Sequence, residues 1–598
     1  MTFAPRIGAA ASRVENGLVI ASLATMAALP ILEIALRKLF RFGVPGSILI
    51  VQHLTLIVTF LGAAIAARSE RLLALASGTF LPKRWQPWAK GIASALGVGI
   101  CAWLAVGGIE FVRSERLGGK ILTLGVPSWV VVAVIPIAFA VIGARLVWLA
   151  SPRRAVRLAV LSGLLLPALL GREATSSALV APGVGLILAG GALGLPVFAV
   201  MGGVSIVLFH AQGVPAASIP AAAYTLTSFP VLPAVPLFTL TGLVLASGKA
   251  SDRVVRVFDA LVGWLPGGPA IVTTLVFAFF TSFTGASGVT ILSLGGLLLP
   301  VLVKSGFTDR FSLGLVTVAG SIGLLLPPSV PIMLYAVRAQ QPVDKMFLGG
   351  IVPGVFLVTL VAAWGVRHGL RVPSARKAFT VREAAASVRG AIWELLLPVV
   401  MAIALFGGFA TTVEAAALTV LWALLIQCVI HRDVSVTRDL PKILLDTSVV
   451  VGGFLIILAM ALSLTDYFSF AEIPTKALAF VQQHVHSKYV FLLVLNVFLL
   501  LVGALMDIYS AIFVVVPLVV PMAAAYGLDP IHLGIIFLAN LELGYLTPPM
   551  GENLFLSAYR FDKPVLTVFR ATLPFYAILA LGVLLVTYVP VMTLWLAR

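Results

Sequence analysis

The chain has 598 residues, 60% of them hydrophobic and 11% charged, with a mean hydropathy of +1.11. That balance excludes a soluble domain of this size, and the weak dyad alternation excludes a membrane β-barrel; long apolar runs throughout describe an all-α polytopic membrane protein. The net charge of +17 comes from 40 Lys+Arg against 23 Asp+Glu, placed mainly in loops, which fits cytoplasmic loops against anionic membrane lipids and not nucleic acid.

Arg6 and Arg13 precede a long first span without a small-residue cleavage site, so this segment reads as a retained span, not a removed signal peptide. Four spans come first, at about 17–36, 46–66, 88–112 and 125–150. The segment 67–90 carries Arg68, Arg71, Lys83, Arg84 and Lys90 and reads as cytoplasmic, with room for an interfacial amphipathic helix. Arg37, Lys38 and Arg41 fit that orientation poorly. Residues 151–177 form a connecting segment with a basic start and a polar patch from Gly171 to Ser177. The predicted division is therefore a four-helix membrane domain over 1–150, the connector 151–177, and a larger part over 178–598. The larger part opens with an apolar block to Phe209, interrupted by Gly194-Leu195-Pro196 and read as two short spans or one long helix. A span at about 229–248 follows. Cys101 and Cys428 lie far apart in apolar segments and make neither a disulfide framework nor a metal site.

From Leu261 to Val303 there is no charge, and the centre of the run is Thr281-Ser282-Phe283-Thr284-Gly285-Ala286-Ser287-Gly288. Small and polar residues in mid-run predict a re-entrant hairpin. The next apolar run, 311–337, is interrupted by Pro327-Pro328, which remove two backbone donors and break a helix. Spans at about 346–366, 391–409, 411–430 and 444–468 follow, with a basic loop over 367–390. A second charge-poor block, Tyr489 to Leu528, has Asp507 alone at its middle. A second broken span, about 531–558, contains Pro548-Pro549, and a final span lies at about 571–596.

The two proline pairs are 221 residues apart, and the same offset aligns Gly323 with Gly544, Gly306 with Gly527 and Pro300 with Pro521. The predicted unit is hairpin, turn, broken helix, used twice. Counting crossings between the copies makes them inverted, with the Lys/Arg-rich loops on the cytoplasmic side, as in many secondary transporters.

Broken helices at membrane depth leave helix N-termini, which suit anions, and free carbonyls, which suit a small hard cation such as Na⁺. One candidate ion site uses the tip around Gly285 to Gly288 with Gly323 to Pro327. The other uses Asp507 with Gly544, Thr547 and Pro548. Thr284, Ser287 and Ser329 add side-chain oxygens, and Asn553 is available to substrate or backbone. Each Ser, Thr or Gly can equally serve close helix packing. Asp507, Glu414, Glu542 and Glu552 are intramembrane acids and so functional candidates, with helix caps as the alternative role. The seven histidines show no metal-ligand spacing, and no GxxxxGK[ST] phosphate loop is present, so neither ATP nor a cofactor is expected.

Several stretches carry a specific resemblance. They are Trp264-Leu265-Pro266-Gly267-Gly268, Gly285-Ala286-Ser287-Gly288, Leu326-Pro327-Pro328-Ser329, Thr412-Val413-Glu414-Ala415, Asp507, and Leu546-Thr547-Pro548-Pro549-Met550-Gly551-Glu552-Asn553. On these the chain resembles a fused small-plus-large membrane subunit of the tripartite ATP-independent periplasmic (TRAP) transporters. The resemblance implies an inner-membrane, multi-pass, non-enzymatic importer with an elevator mechanism and Na⁺ symport. It also implies an organic acid such as a dicarboxylate as substrate and delivery by a periplasmic binding protein. The candidate substrate contacts are Ala286, Ser329, Gly551 and Asn553. Ala286 stands where the family commonly has serine, and Glu552 where an apolar or small residue is usual. The competing readings are another ion-coupled elevator carrier, such as a tricarboxylate type, and a membrane-embedded enzyme.

Overall fold

The structure is a computed structural model that describes residues 3–74, 82, 84–151, 153–166, 177–285, 287–371, 378–548 and 551–597. These are almost wholly helical. Ten helices are long and apolar enough to cross a membrane, or up to twelve with two bent pairs each taken as one span. By packing, the chain forms two compact units: Met1–Pro236 with Leu444–Lys476, and Leu237–Ile443 with Ala477–Arg598.

In the first unit, α1 (Phe3–Phe40), α2 (Ser47–Arg68), α3 (Gln86–Gly118) and α4 (Ser128–Ala150) occupy the four predicted N-terminal spans. The block after the connector is two helices, α5 (Ser177–Ala192) and α6 (Val197–His210), parted at Pro196, the residue before α6. Much of the connector, and much of the proposed interfacial helix in 67–90, lies outside the described residues. Phe60 meets Phe139 edge-on at 5.6 Å, and Phe139 stacks on Phe198 at 6.3 Å. Gly62 and Gly452 let α2 approach the helix Leu440–Phe470 backbone to backbone; a Cβ at either would strike the other chain segment. Glu15 takes a two-pronged contact from Arg145 at 2.8 and 2.6 Å. Arg37 and Lys38, which fitted the predicted orientation poorly, occupy the last turn of α1, where a helix C-terminus favours cations.

The second unit opens with α7 (Ala234–Ser247), which bends by 77° into α8 (Ala250–Val262). Then come α9 (Gly268–Thr284), α10 (Ser287–Lys304), α11 (Asp309–Ala319), α12 (Val330–Arg338) and α13 (Val343–Gly369). Near the C-terminus are α14 (Lys488–Leu505), α15 (Ile508–Ala525), α16 (Pro530–Gly544), α17 (Glu552–Phe561) and α18 (Val565–Tyr588). The ends of α9 and α14, the starts of α10 and α15, the ends of α10 and α15, and the starts of α11 and α16 each differ by 221 residues. The turns agree in detail. Gly306 and Gly527 both have positive φ, at 91° and 67°. Thr308 and Asp529 each cap the following helix, Thr308 accepting from the Phe311 amide and Asp529 from those of Ile531 and His532.

Besides the seven-residue helix Ser218–Tyr224, three helices with charged faces were missed by the sequence reading. These are α8, Val381–Gly390 in the basic loop, and Ile473–His484 in the loop after Leu440–Phe470. All three are short and amphipathic, so a hydropathy window reads them as loop. The predicted span 391–409 is a 15-residue helix, Ile392–Phe406, bent by 62° from Val381–Gly390.

A buried ion network ties α8 to the helix Ile392–Phe406. Arg253 Nε donates to Glu394 at 2.6 Å and its Nη1 to Asp433 at 2.7 Å, and Glu394 is fully buried. Removing one partner of such a pair strands the other charge, at about 3–5 kcal/mol. Arg253→Ala is therefore expected to lower the thermal midpoint of the detergent-solubilised protein far more than Arg256→Ala on the same helix. Equal midpoints would show that the network contributes nothing to stability.

Candidate functional site

The predicted site residues gather in the second unit, where two helix-turn-helix tips meet two interrupted helices. The first tip follows Thr284, the last residue of α9. The Thr284 hydroxyl lies 3.1 Å from that of Thr290, and a Cβ at Gly242 of α7 would stand 2.7 Å from Thr284 Cα. Gly285 turns the chain with φ +64°, and its N–H returns to the Thr281 carbonyl at 2.9 Å. Ala286 lies outside the described residues. Ser287, buried, begins α10.

The break between α11 and α12 is a series of tight turns. Leu324 N–H reaches Ser321, Leu326 N–H reaches Gly323 at 3.1 Å, and Ser329 N–H reaches Leu326. The missing donor of Pro327 explains the second of these: the Gly323 carbonyl loses its helical partner and takes the Leu326 amide. Gly323 lies against the Ala278 backbone, and Thr281 Oγ1 donates to the Gly320 carbonyl at 3.0 Å, pinning the break to the arm of the first tip. Ser329 immediately precedes α12. Its hydroxyl is fully buried, does not cap the helix and has no partner among the described residues.

The second break repeats this local chemistry. Thr547 N–H reaches the Gly544 carbonyl at 2.9 Å, as Pro548 withholds the helical donor. The Thr547 hydroxyl donates to the Leu543 carbonyl at 3.0 Å, and Pro548 is exposed. Gly544 crosses Gly503 of α14 so closely that a Cβ would stand 2.5 Å from Gly503 Cα. Gly551 precedes α17 and donates its N–H to the Thr547 carbonyl at 3.1 Å. Asn553 is buried and donates to the Thr317 carbonyl at 3.3 Å, joining α17 to α11; its Oδ1 has no partner among the described residues.

Asp507 is the residue before α15. Its carboxylate accepts the Ser510 amide at 3.0 Å and the Ser510 hydroxyl at 2.6 Å, so it caps the helix while remaining half-buried. Glu414 also caps: it and Thr411 form a reciprocal pair in which each side chain takes the other's amide. Glu542 is buried in α16, and one of its carboxylate oxygens is unpartnered among the described residues.

Two tyrosines that the sequence reading did not single out close the arrangement. Tyr509 Oη donates to the Gly285 carbonyl at 2.6 Å and so joins the two tips. Tyr545 Oη accepts the Ile508 amide at 3.1 Å and also bonds the Glu552 side chain. A Cβ at Gly285 would stand 2.6 Å from Val330, the first residue of α12. One at Gly288 would stand 3.6 Å from Glu552 Oε1, in the first turn of α17. α10 packs on α17, and α12 on α15. The N-termini of four helices, α10, α12, α15 and α17, thus meet at one place. The donors there are oxygens and backbone amides, and no group of three or more His, Cys, Asp or Glu among the described residues has the arrangement of a metal centre.

Comparison with known proteins gives this arrangement a family. The DctM component of the tripartite ATP-independent periplasmic transporters matches residues 184–592, and the DctQ component matches residues 26–157. The C4-dicarboxylate TRAP transporter large permease protein DctM of Pseudomonas aeruginosa is 33% identical over 60% of this chain and 84% of its own length. The isethionate TRAP transporter permease protein DctMQ of Oleidesulfovibrio alaskensis is 31% identical over 62% of this chain and 59% of its own. The ectoine TRAP transporter large permease protein TeaC of Halomonas elongata is 30% identical over 61% and 85%. Among solved structures, the YdaH transporter of Alcanivorax borkumensis is similar at a TM-score of 0.47 and 16% identity, over 64% of this chain and 88% of that one. With both component families in one polypeptide and ten or more spanning helices, the chain belongs to the TRAP transporters as a fused, multi-pass permease of the inner membrane, a transporter and not an enzyme.

Proposed function

We propose that the chain imports a small organic acid by Na⁺ symport, taking it from a periplasmic binding protein. In this reading residues 178–598 form the transport part and residues 1–150 a four-helix support. The observation that carries it is the meeting of four helix N-termini and two proline-broken helices at one point, joined by the bond from Tyr509 to the Gly285 carbonyl. Such a place offers positive helix ends to an acid and carbonyl oxygens to a hard cation.

One Na⁺ sits among the carbonyls of the first tip and of the break from Gly323 to Pro327, with Thr284 and Ser287 beside it. A second sits between Asp507 and the break from Gly544 to Pro548, with Thr547. The substrate lies against Ala286, Ser329, Gly551 and Asn553. The two tips are re-entrant hairpins of an inverted repeat, and they travel with the broken helices as one elevator body. Relatives named for C4-dicarboxylates, isethionate and ectoine support a small organic solute as the substrate class. Reconstituted protein should take up its solute only when the binding protein is added on the periplasmic side. Uptake at the same rate without it would refute the tripartite arrangement.

A further inference from the structure

The four helix N-termini that meet in the second unit are not alike. Those of α10 and α12 carry Ser287 and Ser329, which are neutral. Those of α15 and α17 carry Asp507 and Glu552, each half-buried and near enough to repel the other. A helix N-terminus attracts an anion, but one that already holds a carboxylate has its positive end answered from within the chain. Half of the anion-receiving ends are therefore occupied by the protein's own charge.

Neither carboxylate has an ion pair with a Lys or Arg among the described residues. Asp507 turns its oxygens to the amide and hydroxyl of Ser510. Glu552 has the Tyr545 hydroxyl, and its Oε1 looks across at Gly288, the second residue of α10. Even a half-buried charge without a counter-charge is costly unless a ligand supplies one. On the reading proposed above, on which this inference rests, Na⁺ answers Asp507. Glu552 is left over. At the start of α12, the Ser329 hydroxyl is fully buried, does not cap the helix and meets no partner among the described residues, as expected of a group that waits for a ligand.

We propose that the substrate is a zwitterion. Its carboxylate or sulfonate lies at the N-termini of α10 and α12, with the Ser329 hydroxyl donating to it, and its ammonium-type group faces Glu552. A dicarboxylate of the same length would bring its second negative charge against Glu552 and be rejected, because an uncompensated like-charge contact in a water-poor site weighs heavily against a wrong ligand.

The test is competitive uptake by cells that express the transporter with its binding protein. The cells receive an equimolar mixture of isotopically labelled β-alanine, trimethylglycine, isobutyrate, hydroxyethanesulfonate and succinate, in Na⁺ or K⁺ medium. Wild type and Glu552→Gln are compared, with folded protein in the membrane measured by fluorescence-detected size exclusion. The expected result is Na⁺-dependent accumulation of a zwitterion above every anion, reduced at least tenfold in Glu552→Gln at equal folded protein. Accumulation of an anion at or above the zwitterions, or a Glu552→Gln rate within twofold of wild type, overturns the zwitterion assignment and leaves Na⁺-coupled import standing. Uptake that is equal in K⁺ medium removes Na⁺ symport from the reading proposed above, and the absence of uptake of either zwitterion overturns this inference.

Discussion

Replacing Asp507 with asparagine is expected to leave the protein folded and to abolish uptake. Asparagine caps a helix about as well as aspartate, so the bonds to Ser510 survive and the thermal midpoint should match wild type. What is lost is the negative charge beside the second broken helix. If that charge holds the coupling ion, the initial rate should fall by at least about a hundredfold, or about 2.7 kcal/mol. Asp507→Ala separates the two roles: it removes cap and charge together, so it should lose uptake equally and in addition lose about 0.5–2 kcal/mol of stability. Uptake by Asp507→Asn at the wild-type rate would reduce Asp507 to a helix cap.

Gly285→Ala should be nearly as damaging, for a reason written in the backbone. At φ +64° a Cβ costs roughly 1–2 kcal/mol, and here it would also meet the Val330 side chain at 2.6 Å. Relieving both means moving the carbonyl that accepts the Tyr509 hydroxyl, and with it the junction of the two tips. Uptake is expected to fall at least tenfold. Gly390→Ala is the internal comparison. It ends the helix Val381–Gly390, and no atom stands within 4 Å of the added Cβ. More than half of the wild-type rate should remain. Equal rates for the two variants, measured per folded molecule, would show that the geometry of the first tip does not matter.

These two cases also show what could be read from the chain alone. The spacing of the proline pairs located both breaks, because proline acts through a donor it does not have, and no tertiary context restores it. The same spacing relates the end of α9 through the start of α11 to the end of α14 through the start of α16. It could not show the work of Asp507. The charge was visible, but its cap depends on Ser510, one hydroxyl in an apolar run. Tyr509 and Tyr545 were missed for a related reason. A tyrosine in an apolar run is usually a packing or interface residue, and only tertiary contact shows where its hydroxyl goes. The bends after α7 and before Ile392–Phe406 were illegible because charged amphipathic helices are indistinguishable from loops by hydropathy.

The central claim is that solute and Na⁺ move together through this site. Proteoliposomes bearing the purified protein, with binding protein outside, allow labelled solute and ²²Na⁺ to be counted in the same sample under an imposed inward Na⁺ gradient. The account predicts that both labels enter together, that collapsing the gradient stops net solute accumulation, and that Asp507→Asn abolishes entry of both. Solute accumulation without ²²Na⁺ entry, at a rate indifferent to the gradient, would contradict it.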